Sequence, residues 1–172
     1  PNVTCESCHG PGAKHVAAMR SGETEMHIRT SRSAQEQLET CGECHRRADR
    51  LGHLEKNDKK LVRFQPVGLS QSACFIKSGG KLSCSTCHDP HDAPSEHRPG
   101  YDQKCLSCHQ QGGVSHSTCP VSAKEKCVEC HMPRIEVHKG FVFSDHWIRV
   151  RSSSDLPAYQ PRPADKPHTE TK

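Results

Sequence analysis

Apolar positions are scattered along this chain and form no long run. No segment reaches the eighteen or more consecutive apolar residues that a membrane-spanning helix needs. Residues 136–150 are the richest in aromatic side chains, and we expect this segment to be extended or strand-like. Secondary structure is therefore expected to be sparse, with short elements and little β-structure.

Three short helices are predicted from local signals. Ser33 and Glu36 have the spacing of a capping box, which predicts a helix that runs into Cys41. A proline near its start favours a second helix over 120–127. Residues 102–108 are expected to form a third. Each of these helices would lead into a cysteine.

The chain is expected to form one unit over residues 1–150, followed by a tail over 151–172. The unit divides into an N-terminal part, 1–60, and a C-terminal part, 61–150, with no linker rich in glycine or proline between them. Four prolines and few apolar residues predict that the tail is an extended arm, either disordered or lying on a partner.

The spacing of the cysteines is the sequence feature that indicates what the chain binds. Ten of the twelve cysteines form five Cys-x-x-Cys pairs, and a histidine directly follows each pair, which is the attachment signature of c-type haem. Chance placement of the fourteen histidines would produce this with a probability of roughly 10⁻⁶ to 10⁻⁵. We therefore expect five covalent haem c groups, with two thioethers and one proximal iron ligand from each motif. The predicted attachment residues are Cys5, Cys8, Cys41, Cys44, Cys84, Cys87, Cys105, Cys108, Cys127 and Cys130, and the predicted proximal ligands are His9, His45, His88, His109 and His131.

Other cysteine chemistries account for this pattern less well. Structural zinc usually takes two Cys-x-x-Cys pairs per ion, so five pairs leave one over, and zinc does not require a histidine directly after each pair. A thioredoxin-like redox pair would be single and would lie in an alternating strand and helix pattern. A plain disulfide scaffold gives no reason for the five histidines.

Composition agrees with a chain that wraps cofactors. Only 31% of the residues are hydrophobic and 4% aromatic, whereas a typical globular domain is about 45–50% apolar. Five porphyrins would supply the missing apolar mass. The fold class expected is a multihaem cytochrome c, with mostly irregular loops and a few short α-helices wrapped round stacked haems. Without haem the chain should not fold stably.

The charge of the polypeptide gives no argument for nucleic acid. The formal net charge is +4, but the propionates of five haems would add about ten negative charges and bring the total to roughly −6. Lysines and arginines are scattered, aromatic residues are scarce, and no stacking platform for bases is visible. Many of these cations are expected to pair with propionates or to remain solvated.

Nine histidines remain as candidates for distal iron ligands or as ordinary surface residues. His91 follows His88 after a turn that Pro90 stiffens. Residues so close in sequence cannot ligate one iron from both sides, so His91 is expected to serve a neighbouring haem. His15 follows the first motif after a Gly-Pro-Gly turn and is expected to act in the same way.

Several runs give the chain a resemblance to a known family. It resembles the doubled-CxxCH multihaem cytochromes, including those fused to tetratricopeptide repeats, which are similar in turn to the tetrahaem cytochrome of ammonia oxidisers. The resemblance spans about residues 1–150 and rests on motif order. It is carried by CESCHGPG over 5–12 with His15, by CHDPH over 87–91, and by CHMP over 130–133 with Asp145 and His146.

This resemblance implies haems with two histidine ligands, arranged in stacked and perpendicular pairs. It implies distal roles for His15, His91 and His146, and it also suggests His116 and His53. Relatives usually carry further haem motifs upstream of the first run. Their absence here favours a C-terminal portion of a longer protein, or a distal histidine that serves a haem on another segment.

Two cysteines, Cys74 and Cys119, lie outside the motifs. Covalent haem attachment implies maturation outside the cytoplasm, so we expect a periplasmic, extracellular or cell-surface location. In such an oxidising compartment one disulfide between these two residues is the simplest expectation. A free buried thiol and a cysteine ligand to iron are the alternatives.

Three function classes follow from these expectations. The first is electron transfer by a pentahaem cytochrome, with redox proteins, other haem subunits or copies of itself as partners, and without catalytic residues of its own. The second is a reductase or oxidase of small nitrogen or sulfur compounds, which needs one iron with an open site. The third is a structural subunit whose haems mainly hold the fold.

Overall fold

The structure is a computed structural model, and it describes residues 3–30, 32–50, 58–92, 100–109, 119–122, 124–152 and 154. Within those residues, short helices are followed by one hairpin. The α-helices are α1 (Cys5–His9), α2 (Ala13–Ser21), α3 (Ala34–His45), α4 (Gln65–Ser70), α5 (Ala73–Lys77), α6 (Cys84–Cys87), α7 (Tyr101–His109) and α8 (Cys127–His131). Short 3₁₀ helices span Ala48–Arg50 and Lys59–Arg63, and the strands are β1 (Arg134–His138) and β2 (Phe141–Ser144).

Two of the three predicted helices are confirmed. The capping box is present at the start of α3, where the Ser33 hydroxyl accepts a hydrogen bond from the backbone N–H of Glu36 and the Glu36 carboxylate accepts from the N–H of Ser33. This helix continues through the second motif to its histidine. The helix predicted over 102–108 is α7, which likewise ends on the histidine of its motif.

The helix predicted over 120–127 is wrong, because helical structure begins only at Cys127. Lys126 has φ 62°, a left-handed conformation that cannot continue a helix from upstream. The carboxylate of Asp102 instead accepts hydrogen bonds from the N–H groups of Lys126, at 2.7 Å, and Val128, at 3.2 Å. A side chain on α7 therefore accepts hydrogen bonds from backbone N–H groups at the start of α8. The local sequence of α8 does not predict this contact.

The segment 136–150, expected to be extended or strand-like, is strand only as far as Ser144, within an antiparallel hairpin in which Ile135 lies opposite Phe143 and the pairing becomes irregular near His138. After β2, the described residues 145–152 form neither a helix nor a strand. This two-stranded sheet is all the β-structure among the described residues, which agrees with the expectation of a fold that contains few β-strands.

A small apolar core lies where α3, α4 and the Lys59–Arg63 turn meet the hairpin. Among the described residues, the buried apolar side chains are Ala18, Ala34, Leu38, Val62, Phe64, Val67, Leu69 and Leu106. Packing of α3 against α4 and α6 joins the N-terminal and C-terminal parts of the chain. None of the described helices is long and apolar enough to cross a membrane.

Candidate haem sites

Each of the five motifs lies on or at the end of a short helix. A helix places residues three and four positions apart on one face, so both cysteines and the histidine of a motif point to the same side. None of the ten motif cysteines is buried. The cysteines of all five motifs are therefore at least partly exposed to solvent.

Hydrogen bonds hold the rings of five histidines through the Nδ1 atom. Carbonyl oxygens can only accept, so Nδ1 carries the proton and the Nε2 lone pair is left available to a metal. Histidine ligands of metals typically donate their other ring N–H in this way. The contacts join His9 to the carbonyl oxygen of Arg29 at 2.6 Å, His15 to that of Met26 at 2.7 Å, His131 to that of Arg149 at 2.9 Å, His146 to that of Ser144 at 2.9 Å, and His45 to Oε1 of Gln65 at 3.1 Å.

Two motif histidines face histidines from distant parts of the chain. The ring centroids of His9 and His91 are 5.8 Å apart, with an interplanar angle of 10°. Those of His88 and His146 are 6.2 Å apart, at 28°. Two imidazoles that bind one metal from opposite sides, each through a bond of about 2 Å, have centroids about 6 Å apart. Each pair is therefore spaced so that its two rings could hold one metal ion between them.

The backbone around His146 is closely supported by α4 and α5. Ser72 is fully buried, its hydroxyl donates to the carbonyl oxygen of His146 at 3.0 Å, and it accepts from the N–H of Ile148 at 2.8 Å. A Cβ on Gly68 would lie 2.8 Å from the backbone nitrogen of Trp147 and 2.9 Å from the carbonyl carbon of His146. Burial lowers the pKa of His146, so its ring is held neutral, as a metal ligand requires.

The motifs also contact one another. The Cys84 thiol donates a hydrogen bond to Cys41, which lowers the pKa of Cys41 to about 7 and raises that of Cys84. Burial, with the nearby Cys127, raises the pKa of Cys105 to about 12. Helix α6 packs on both α3 and α7, and α7 packs on α8. The second, third, fourth and fifth motifs thus form a contiguous series.

An open cleft of about 790 Å³ adjoins the third motif. This volume lies within the range of about 300–1,000 Å³ that is usual for cofactor sites. Its walls include Cys87, His88, Pro90, Tyr101 and Lys104. The cleft thus combines a motif cysteine, its histidine, an aromatic ring and a cation, which are suited to a flat apolar group with carboxylate substituents.

Cys74 and Cys119 are both free thiols in the structure, so the expected disulfide between them is not confirmed. Burial raises the pKa of Cys74, which lies near the motif thiols of Cys87 and Cys108. The sulfur of Cys119 instead accepts a hydrogen bond from the N–H of Ser122 at 3.5 Å. The two residues therefore have different surroundings.

Two candidate ligands, His53 and His116, lie outside the described residues and remain predictions. The supporting residues Gly68 and Ser72 were not found by sequence reasoning. A glycine inside the apolar run that forms α4 was the available signal, since such a glycine often marks a close backbone approach. The donor set, the ring spacings and the cleft together fit haem c.

The comparisons with known proteins give one distant relative. The chain is similar to the dissimilatory sulfite reductase MccA of Wolinella succinogenes, with 22% identity over 172 aligned positions. The alignment covers 76% of this chain and 22% of that protein, so the chain spans less than a quarter of its relative. No family model and no solved structure matches the chain. The similarity agrees with a redox protein of the multihaem c-type cytochrome class.

Proposed function

We propose that this chain is a pentahaem c-type cytochrome that transfers electrons through closely spaced, six-coordinate haems. The observation that carries this proposal is the pairing of two motif histidines with two distant histidines at the spacing of axial ligands. A bound haem would supply an iron that cycles between the ferric and ferrous states. The chain supplies the attachment, the ligands and the spacing.

The ligand scheme follows from these pairs. His9 and His91 would hold the iron of the first motif, and His88 and His146 that of the third. Since His91 follows the third motif directly, it would tie the first haem to the segment of the third. His15, His53 and His116 would serve the remaining haems, as the family resemblance suggests.

The spacing of the motifs supports a continuous electron path. Contacts between Cys41 and Cys84, and between Cys105 and Cys127, place attachment points of neighbouring haems side by side. The His9–His91 pair adds the first haem to the same series. Electrons could therefore enter at one end of the chain of haems and leave at the other without a mobile cofactor.

The proposed location is the periplasm or the cell surface, because c-type haem is attached outside the cytoplasm. The proposed partners are redox proteins, further haem-bearing subunits or copies of this chain. The proline-rich tail after Arg151 is the proposed docking arm, since the Arg151 side chain itself is 5% exposed and paired with Asp145.

Spectroscopy of the purified holoprotein tests this proposal. A pyridine haemochrome assay should give five haems per chain, and electron paramagnetic resonance of the oxidised protein should show low-spin iron. Replacement of His91 or His146 by alanine should convert one haem in five to high spin. His138→Ala is the matched control, because this described histidine lies on the hairpin against Phe141 and has no proposed role. A haem count of zero would contradict the proposal.

A reductase of small sulfur compounds is the second candidate, favoured by the similarity to a sulfite reductase. This function needs one iron with an open sixth position. A high-spin signal in the unmodified protein that shifts on addition of sulfite would support it. Uniformly low-spin iron that does not respond to sulfite would favour the electron carrier.

A further inference from the structure

The side chain of Gln37 on α3 lies one helical turn before the second motif and reaches the start of the third. Its amide oxygen accepts a hydrogen bond from the backbone N–H of Ser85 at 2.9 Å. Its amide nitrogen donates to the carbonyl oxygen of Arg32 at 3.3 Å. One end of the amide thus faces a donor and the other an acceptor, which fixes its orientation. The contact with Ser85 joins segments that are 48 residues apart.

Helix α6 depends on contacts of this kind. It has four residues, and so short a helix does not persist by itself in water. The N–H groups of its first turn have no partners within the helix. Ser83, just before the helix, satisfies the N–H of Thr86. Gln37 satisfies the N–H of Ser85 from α3, so a side chain of one helix caps the other.

The residues beside this contact are haem attachment residues in the proposed function. Cys41 lies four residues after Gln37, on the same face of α3, and Cys84 directly precedes Ser85. The thiols of Cys41 and Cys84 are in contact, and α3 packs on α6. Thioethers at these two cysteines would therefore bring the edges of the second and third porphyrins together where Gln37 joins the helices.

We infer that Gln37 is a positioning residue that holds the second and third haems at the spacing over which electrons pass between them. Electron transfer slows steeply as the distance between two haem edges increases, so a residue that fixes this distance sets the rate of one step. Gln37 acts through the two helices and needs no contact with either iron. This inference rests on the proposed function, since it requires bound haem.

Three variants separate the hydrogen bond from the bulk of the side chain. Gln37→Leu fills similar space but removes both hydrogen bonds, so α6 should move away from α3 and the two haems should separate. Gln37→Glu keeps an oxygen that can accept from Ser85 and should retain the spacing. Gln35→Leu is the matched control, because Gln35 is exposed on the same helix and donates to Glu39 within it.

The test is electron paramagnetic resonance of the fully oxidised holoproteins, after the haem content of each has been measured. Low-spin ferric haems in close contact broaden each other's signals through spin coupling. The third haem is identified as the signal that becomes high-spin in His146→Ala. Gln37→Leu should reduce the broadening of this signal and of one other, whereas Gln37→Glu and Gln35→Leu should leave both as they are in the unmodified protein.

The haem count separates failure of this inference from failure of the proposed function. With five haems present, equal broadening in Gln37→Leu and the unmodified protein would overturn the inference alone. Equal narrowing in Gln37→Glu and Gln37→Leu would also overturn it, because the acceptor oxygen would then not hold the spacing. If Gln37→Leu does not retain five haems, Gln37→Asn replaces it, since its amide is one methylene group shorter, and unchanged broadening there overturns the inference equally. A haem count of zero in the unmodified protein would contradict the proposed function itself.

Discussion

Gly68 lies where α4 passes against the backbone of His146, and this contact sets the position of the proposed ligand. An alanine Cβ there would lie within 2.9 Å of two backbone atoms, which is closer than packed atoms normally approach. Both atoms belong to the main chain and cannot rotate away. The segment of His146 would have to shift.

At this position we predict that Gly68→Ala weakens the sixth ligand of the third haem. A high-spin signal from one haem should appear, together with a loss of about 1–3 kcal/mol in the free energy of unfolding. Electron paramagnetic resonance and chemical denaturation measure the two effects. Gly12→Ala is the control, since a Cβ there would be 3.4 Å from the flexible carboxylate of Glu6. A uniformly low-spin Gly68→Ala protein would contradict the prediction.

Among the elements, α8 depends on α7 for its first turn. Five residues are too few for a helix to persist by itself in water, and Asp102 accepts two of its orphan N–H groups. Burial raises the pKa of the Cys127 thiol, and the negative charge of Asp102 raises it further. Both effects keep this thiol protonated. The fourth and fifth motifs are therefore linked through one side chain.

For this element we predict that Asp102→Ala destabilises the holoprotein by about 0.5–2 kcal/mol, as is usual for the loss of a helix cap. Thermal unfolding followed by circular dichroism measures the effect. The matched control is Glu125→Ala, which removes an exposed carboxylate two residues before α8. Equal melting temperatures for the two variants would show that the cap is not required.

Across the whole molecule, the described residues bury few large apolar side chains, while the motif cysteines remain at least partly exposed. Folding must offset the conformational entropy of the chain, and this small core cannot do so alone. The porphyrins would provide the rest of the apolar interior. Haem binding would then be part of the folding free energy.

We therefore predict that the chain is largely unfolded without haem. Replacement of the ten motif cysteines by serine should give a protein without a cooperative thermal transition and with little protection from hydrogen exchange. Circular dichroism and hydrogen exchange measure these properties, with the holoprotein as the reference. A cooperative transition in the cysteine-free chain would show that the polypeptide core suffices.

The sequence alone determined where haem attachment is predicted, because the attachment chemistry requires two thiols and a histidine at a fixed local spacing. Helix α3 could likewise be predicted from the sequence, because the capping box that starts it is formed by Ser33 and Glu36, which are only three positions apart. The features that depend on contacts between distant residues became visible only in the tertiary structure. Three kinds of contact join segments that are far apart in the sequence. They are the histidine pairs His9–His91 and His88–His146, the hydrogen bond from Ser72 to the backbone of His146, and the cap that Asp102 provides for α8. These contacts form only when the whole chain packs, so no local sequence pattern could predict them.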